Sequence, residues 1–134
     1  MKKLIAISFF ICISSICYSQ FGYTPNEIKA LFKDIDCEIT TGYSPNDVYY
    51  VNVISEREET RFYFNYENKC FQIGVNPLDE VTLKEMTNYF DLEYTKLRLN
   101  KWYKKSGQFY KTVEKFSSDG DVFFIKKLEN KDTM

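Results

Sequence analysis

Three runs between Val48 and Val75 constrain this chain more than anything else in it. Val48-Tyr49-Tyr50-Val51-Asn52-Val53-Ile54 is dense in β-branched and aromatic residues. Arg61 to Tyr66 alternates, with Phe62, Phe64 and Tyr66 on one side. Cys70 to Val75 alternates again, with Phe71, Ile73 and Val75 on one side. Such runs fit a pleated, half-buried surface. The connections are short: Glu56-Arg57-Glu58-Glu59 reads as a solvated link and Glu67-Asn68-Lys69 as a turn. Sequential strands so closely joined favour an antiparallel meander. A further short strand is expected over residues 37–41, ahead of the Pro-Asn-Asp turn of Gly42 to Asp47.

Helical periodicity flanks this block. Thr24-Pro25-Asn26-Glu27 joins a capping box to a proline at the first helical position. Ile28, Leu31, Phe32 and Ile35 then follow at i, i+3, i+4 and i+7, which predicts a helix over residues 25–35. After Asn76-Pro77, Asp79-Glu80 supply acid for a second helix start. Leu83, Met86, Phe90, Tyr94 and Leu97 step along one face, predicting a helix over 79–94. Beyond it, residues 101–105 and 108–116 form a hairpin about Ser106-Gly107. Asp119-Gly120 marks a second tight turn before a last strand over 122–128. The expected fold is α+β, in the order α-β-β-β-α-β-β-β with the extra short strand after the first helix. Its two helices pack on one face of a curved antiparallel sheet.

The opening Met1-Lys2-Lys3, the apolar run from Leu4 to Ile13 and the following Ser14-Ser15-Ile16-Cys17-Tyr18-Ser19-Gln20 have the three parts of a secretory signal peptide. Spanning a bilayer as a helix takes about twenty apolar residues, and this run is about half that, so no transmembrane anchor is expected. Cleavage after Ser19 is the favoured reading. Acylation of Cys17 would make a lipoprotein, but Ile16 stands where such signals carry Gly, Ala or Ser. The chain thus divides into a signal peptide (1–19), one α+β domain (20–128) and a frayed tail (129–134), with a periplasmic or extracellular destination.

Without the signal, sixteen basic residues face nineteen acidic ones. That balance carries no nucleic-acid footprint, which needs a basic patch or stripe. Cys37 and Cys70 are the cysteines left after cleavage. In an oxidising compartment they form one bridge, or each is a small buried apolar residue; the sequence leaves both readings open.

Histidine is absent, which removes the commonest general base and metal ligand. Asp119-Gly120-Asp121 lacks the later acidic ligands of a calcium loop and reads better as a hairpin turn. The acidic pairs Asp34/Asp36 and Asp79/Glu80 fall at a helix end and a helix start, where solvated caps explain them. No catalytic, cofactor or metal residues are assigned. The surface candidates are aromatic: Tyr49, Tyr63, Tyr103 and Tyr110, set on strands where exposed rings bind protein or stack on glycans.

Some features resemble small exported proteins of Bacteroidota. They are the Lys-Lys signal ending near Ser-Gln, Thr24-Pro25-Asn26-Glu27-Ile28, the run Phe62-Tyr63-Phe64-Asn65-Tyr66-Glu67-Asn68-Lys69-Cys70-Phe71, Asn88-Tyr89-Phe90 and Lys101-Trp102. That resemblance implies a habitat and a domain type, and no activity. The order of helices and strands also looks like small periplasmic modules of the beta-lactamase-inhibitor-protein and outer-membrane-assembly-lipoprotein kind, a likeness of fold alone. The expected function is an exported, non-enzymatic binding or accessory module acting through a Tyr-rich sheet face or an edge strand, with an envelope or extracellular protein or a glycan as partner. The alternatives are a small carboxylate- and Tyr-based envelope enzyme and a self-associating structural component. No cofactor is expected.

Overall fold

The computed structural model describes residues 20–134; the signal-peptide reading and the Cys17 question lie outside them. Two helices, α1 (Pro25–Phe32) and α2 (Glu80–Glu93), accompany eight strands. The strands are β1 (Glu38–Tyr43), β2 (Tyr49–Ile54), β3 (Glu58–Phe64), β4 (Cys70–Pro77), β5 (Thr95–Arg98), β6 (Lys101–Ser106), β7 (Phe109–Ser118) and β8 (Asp121–Glu129). They form one antiparallel sheet in the order β1-β2-β3-β4-β8-β7-β6-β5, an α+β fold with both helices on one side.

The path is therefore α-ββββ-α-ββββ. Each helix opens a four-stranded meander, and the strand order is unchanged when the two units are exchanged. The seam between β4 and β8 is the centre of the sheet, with Gly74 paired to Ile125 and Val75 to Phe124. The short strand expected after the first helix is β1. A second short strand, β5, takes residues that the helical stripe had claimed as far as Leu97. The similar heptads Gly22–Ile28 and Gly42–Val48 do not follow the two-unit design, since one enters α1 and the other joins β1 to β2.

Helix α1 starts as its sequence dictates. Thr24 Oγ1 accepts from the Glu27 backbone N–H, and the Glu27 carboxylate accepts from the Thr24 backbone N–H. The helix ends at Phe32, short of Ile35. In α2, Asp79 caps the start by accepting from the Thr82 N–H at 2.6 Å. Thr82, Met86 and Phe90 form its buried stripe. The turns use left-handed backbone where a tight reversal needs it. Asp119 (φ 51°) and Gly120 (φ 85°) are both left-handed, the form that suits a two-residue hairpin.

The core lies between the helices and the sheet. Ile28 and Phe32 of α1 meet Val51, Val53 and Phe62, with the Phe32 and Phe62 rings 5.8 Å apart. Under α2, Phe90 meets Trp102 and Phe124 at 5.7 and 5.2 Å. The Trp102 indole donates to Asp91 at 2.8 Å, so its one polar group is satisfied.

Three expectations need correction. A bulge in the β3–β4 ladder pairs Tyr63 with Gln72 but Phe64 with Cys70, leaving Phe71 as the extra residue. Cys70 is buried as a result, and Phe71 is outward and 43 % exposed. Tyr66 has left the strand for the turn, where it is fully exposed. Finally, Glu58 and Glu59 do not belong to a solvated link. They are the first residues of β3, and Glu58 is buried.

Candidate functional site

Strand alternation gives the sheet a second face, with no helix on it among the described residues. Across its middle runs the row Thr40, Asn52, Arg61, Gly74, Ile125, Glu114, Lys101, each paired with the next. A parallel row holds Gly42, Tyr50, Tyr63, Gln72, Lys127, Thr112 and Tyr103. Aromatic pairs punctuate the surface: Tyr50 with Tyr63 (6.1 Å), Tyr103 with Tyr110 (5.9 Å), and Phe116 stacked on Phe123 (5.5 Å).

Of the four tyrosines singled out from sequence, Tyr63, Tyr103 and Tyr110 lie on this face. Tyr49 does not. It points to the helix side, where its ring packs 6.0 Å from Phe64 and 5.2 Å from Tyr43. Its neighbour Tyr50 takes the place on the open face. The Tyr50 ring lies across Gly42, where an added Cβ would come within 2.6 Å of its hydroxyl. The Arg61 guanidinium sits 4.0 Å above the same ring, a cation–π contact.

At the seam the face deepens into an open groove of ≈ 370 Å³. Asn52, Glu59, Arg61 and Tyr63 form one wall. Gly74 and Ile125 lie at the seam, while Asn76, Phe123 and the β7–β8 turn with Ser118, Asp119 and Asp121 close the other side. Asn52 is 4 % exposed, and its amide nitrogen donates to Glu59 at 2.6 Å. That bond fixes which way the amide points and leaves Oδ1 without a hydrogen-bond partner. A buried acceptor left unpaired costs about 1–3 kcal/mol. Arg61 reaches the Glu59 carboxylate only at 3.8 Å, so its donors are weakly engaged. With its nitrogen toward the chain, the Asn76 amide donates to the Val122 and Pro77 carbonyls at 3.2 Å each.

The opposite end of this face is self-satisfied. Lys101 is buried between Glu129 (3.4 Å) and Glu114 (3.7 Å), and Thr112 donates to Glu129 at 2.6 Å. Arg98 lies 4.0 Å from Glu114, so two positive and two negative charges offset one another there and leave little for a ligand.

Two other features could suggest chemistry. Burial pushes the Glu58 carboxyl up to about 7, against the opposing pull of Lys126 and then Arg57. Glu58 nevertheless faces α2 and not the groove, and Arg57 beside it ties β3 to that helix by donating to Thr82 (3.1 Å) and Glu85 (2.7 Å). The second feature is the cysteine pair. Cys37 and Cys70 are not bridged to each other. Cys37 precedes Glu38, which sits at the end of the sheet where β4 has reached Asn76, six residues beyond Cys70. Three strand spacings also separate them, about 14 Å, far outside bridging reach. The reading of a Cys37–Cys70 bridge is therefore corrected: the two cysteines stand far apart across the sheet. Cys37 donates to the Phe32 carbonyl at 3.6 Å, and burial followed by the Asp36 charge pushes its thiol up, away from a reactive thiolate.

Overall charge balance concealed a polarity. Residues 20–94 hold fourteen acidic and six basic side chains, whereas residues 95–134 hold ten basic and five acidic. Summing each predicted segment separately would have exposed it. Asn52 was harder to find, because within a strand run it reads simply as the polar member of an alternation. No helix among the described residues is long and apolar enough to cross a membrane. Compared with known protein families, with curated proteins and with solved structures, the chain matches none.

Proposed function

We propose that this protein is an exported, non-catalytic binding module whose recognition site is the groove at the β4–β8 seam, and that the groove holds a polar group presented by a component of the cell envelope. The sequence supports export through its first nineteen residues, and its resemblance to small exported Bacteroidota proteins points the same way. One observation carries the site: Asn52, a nearly buried side chain in the groove wall, has an acceptor oxygen with no partner. Native interiors pair such atoms, so one beside an open groove supports a partner supplied from outside.

Rigidity supports binding over turnover. The residues of the groove stand mainly on β2, β3, β4 and β8, all interior strands hydrogen-bonded on both sides. A site on such strands holds its geometry without reorganising. The recognition is made by side chains, because these strands have no free edge to extend.

The test is heteronuclear NMR on the labelled secreted protein, titrated with solubilised envelope polysaccharide and separately with envelope protein. Amide shifts gathered on Asn52, Arg61, Gly74 and Phe123, with outward-facing Leu92 of α2 unmoved, are the expected result. Shifts confined to the helix side, no shifts with either fraction, or chemical conversion of the added material would overturn the proposal.

A further inference from the structure

Resting on that reading, we infer that the groove is a saccharide subsite, taking one or two uncharged sugar units of an envelope glycan. The side chains around it decide the class of ligand. Three carboxylates, Glu59, Asp119 and Asp121, stand with a single guanidinium, Arg61, so an anionic ligand meets net repulsion. Among the described residues no three acidic or cysteine groups converge closely enough to hold a metal ion, so a bare divalent cation is not accommodated. A purely apolar ligand would leave Asn52 Oδ1 unpaired and strip water from the carboxylates.

Hydroxyl groups fit what remains. A hydroxyl both donates and accepts, so neighbouring hydroxyls on one sugar ring can donate to Asn52 Oδ1 or a carboxylate and accept from Arg61. Asn52 is 4 % exposed and its Oδ1 is buried, so a hydroxyl reaches it only when a neighbouring side chain moves aside. Tyr63 and Phe123 supply ring faces for the C–H side of a pyranose, and the space of ≈ 370 Å³ lies within the usual range for small-ligand sites.

Gly74 gives the inference a sharp handle. It has no left-handed backbone, and an added Cβ would meet Ile125 Cδ1 at 3.6 Å and Tyr63 Cε2 at 3.8 Å, ordinary contact distances. The sheet therefore accepts a Cβ at Gly74 in ordinary contact, and a larger side chain there would take up space in the groove.

The experiment is calorimetric and NMR titration of the secreted protein with chitotetraose, maltotetraose, xylotetraose and mannotetraose, and with tetralysine as a cationic control. At least one oligosaccharide is expected to bind with a dissociation constant of roughly 0.1–1 mM and to shift the amides of Asn52, Arg61 and Gly74. Gly74→Val and Asn52→Leu should each weaken it about tenfold or more with the circular dichroism unchanged, while Phe109→Ser, outside the groove, leaves it intact. Should a variant unfold, Arg61→Gln at the same wall replaces it. If no oligosaccharide binds, or if binding is indifferent to Gly74→Val, the saccharide assignment is wrong. Tetralysine shifting the groove amides in place of any sugar would overturn the saccharide and leave the binding module standing. Failure of every envelope fraction to touch this face would remove both.

Discussion

Strands β2, β3, β4 and β8 present two surfaces from one backbone, and neighbouring residues have opposite duties on them. Toward the helices they turn Val51, Phe62, Ile73 and Phe124, all buried. Away from the helices the same strands turn Asn52, Arg61, Gly74 and Ile125. The covered face is filled by close apolar contact, and each side chain there is held by several others. The open face carries charge, amide groups and a glycine, and it includes an acceptor that the protein does not satisfy. The difference shows where stability resides and where it has been given up. One face fixes the fold; the other is held in shape by it and is left open.

The largest effects should fall on the covered face. Phe62→Ala or Phe124→Ala should cost about 3–5 kcal/mol in urea denaturation, from lost burial and the cavity left behind. Equal losses at Arg61 or Tyr63 would erase the distinction between the faces.

Glu58 sharpens the comparison, because it is a charged residue type placed on the covered side. Its carboxyl is pushed up to about 7 by burial, so the folded protein binds that proton more tightly than the unfolded chain. The stabilisation is fully present below the ordinary glutamate value of 4.5. It is lost as pH rises through about 7, and amounts to about 3 kcal/mol. Denaturation midpoints measured between pH 4.5 and 8 should decline across this window. Glu58→Gln should flatten that part of the profile; an unchanged slope would place the titration elsewhere.

A smaller loss is expected from the edge of the covered face. Thr24→Ala removes the cap of α1 and should cost about 1 kcal/mol, with the loss of helical signal confined to residues 25–32. Amide exchange would locate it. The smallest effect belongs to the open face. Arg61→Gln should change stability by less than about 0.5 kcal/mol, since its cation–π partner Tyr50 still rests on Gly42 and Tyr63. A large destabilisation there would mean that the open face is structural after all.

Much of the fold was legible because it is local. The capping box of Thr24 and Glu27, the Asp79 cap and the Asp119-Gly120 turn act within a few residues, and each forms as its chemistry requires. Strand alternation predicted Ile73 and Val75 inward and failed at Phe71, where a bulge moves Cys70 to the inside. A bulge depends on the partner strand, and one strand's own pattern does not contain it. The Glu56–Glu59 stretch misled for a related reason. Charged residues ordinarily avoid burial, and only the arrival of α2, with Arg57 reaching Thr82 and Glu85, places Glu58 in the interior.

The candidate site divides in the same way. Sequence placed Tyr49, Tyr63, Tyr103 and Tyr110 on an aromatic surface, but Tyr49 turned inward because Val51, two residues on, pairs with Phe62 on the covered face. The groove itself was out of reach. It joins residues more than sixty positions apart, and they meet only because β8 returns to lie beside β4.

Local sequence alone set the two helices, the meandering strands and the aromatic character of the sheet, through periodicity, composition and short-range hydrogen bonding. Tertiary structure alone decided the β4–β8 seam, the separation of Cys37 from Cys70, the burial of Glu58 and the unpaired oxygen of Asn52. Each of these depends on which distant strand becomes a neighbour, and that is settled by the packing of the whole apolar face, a sum over many residues that no single segment records.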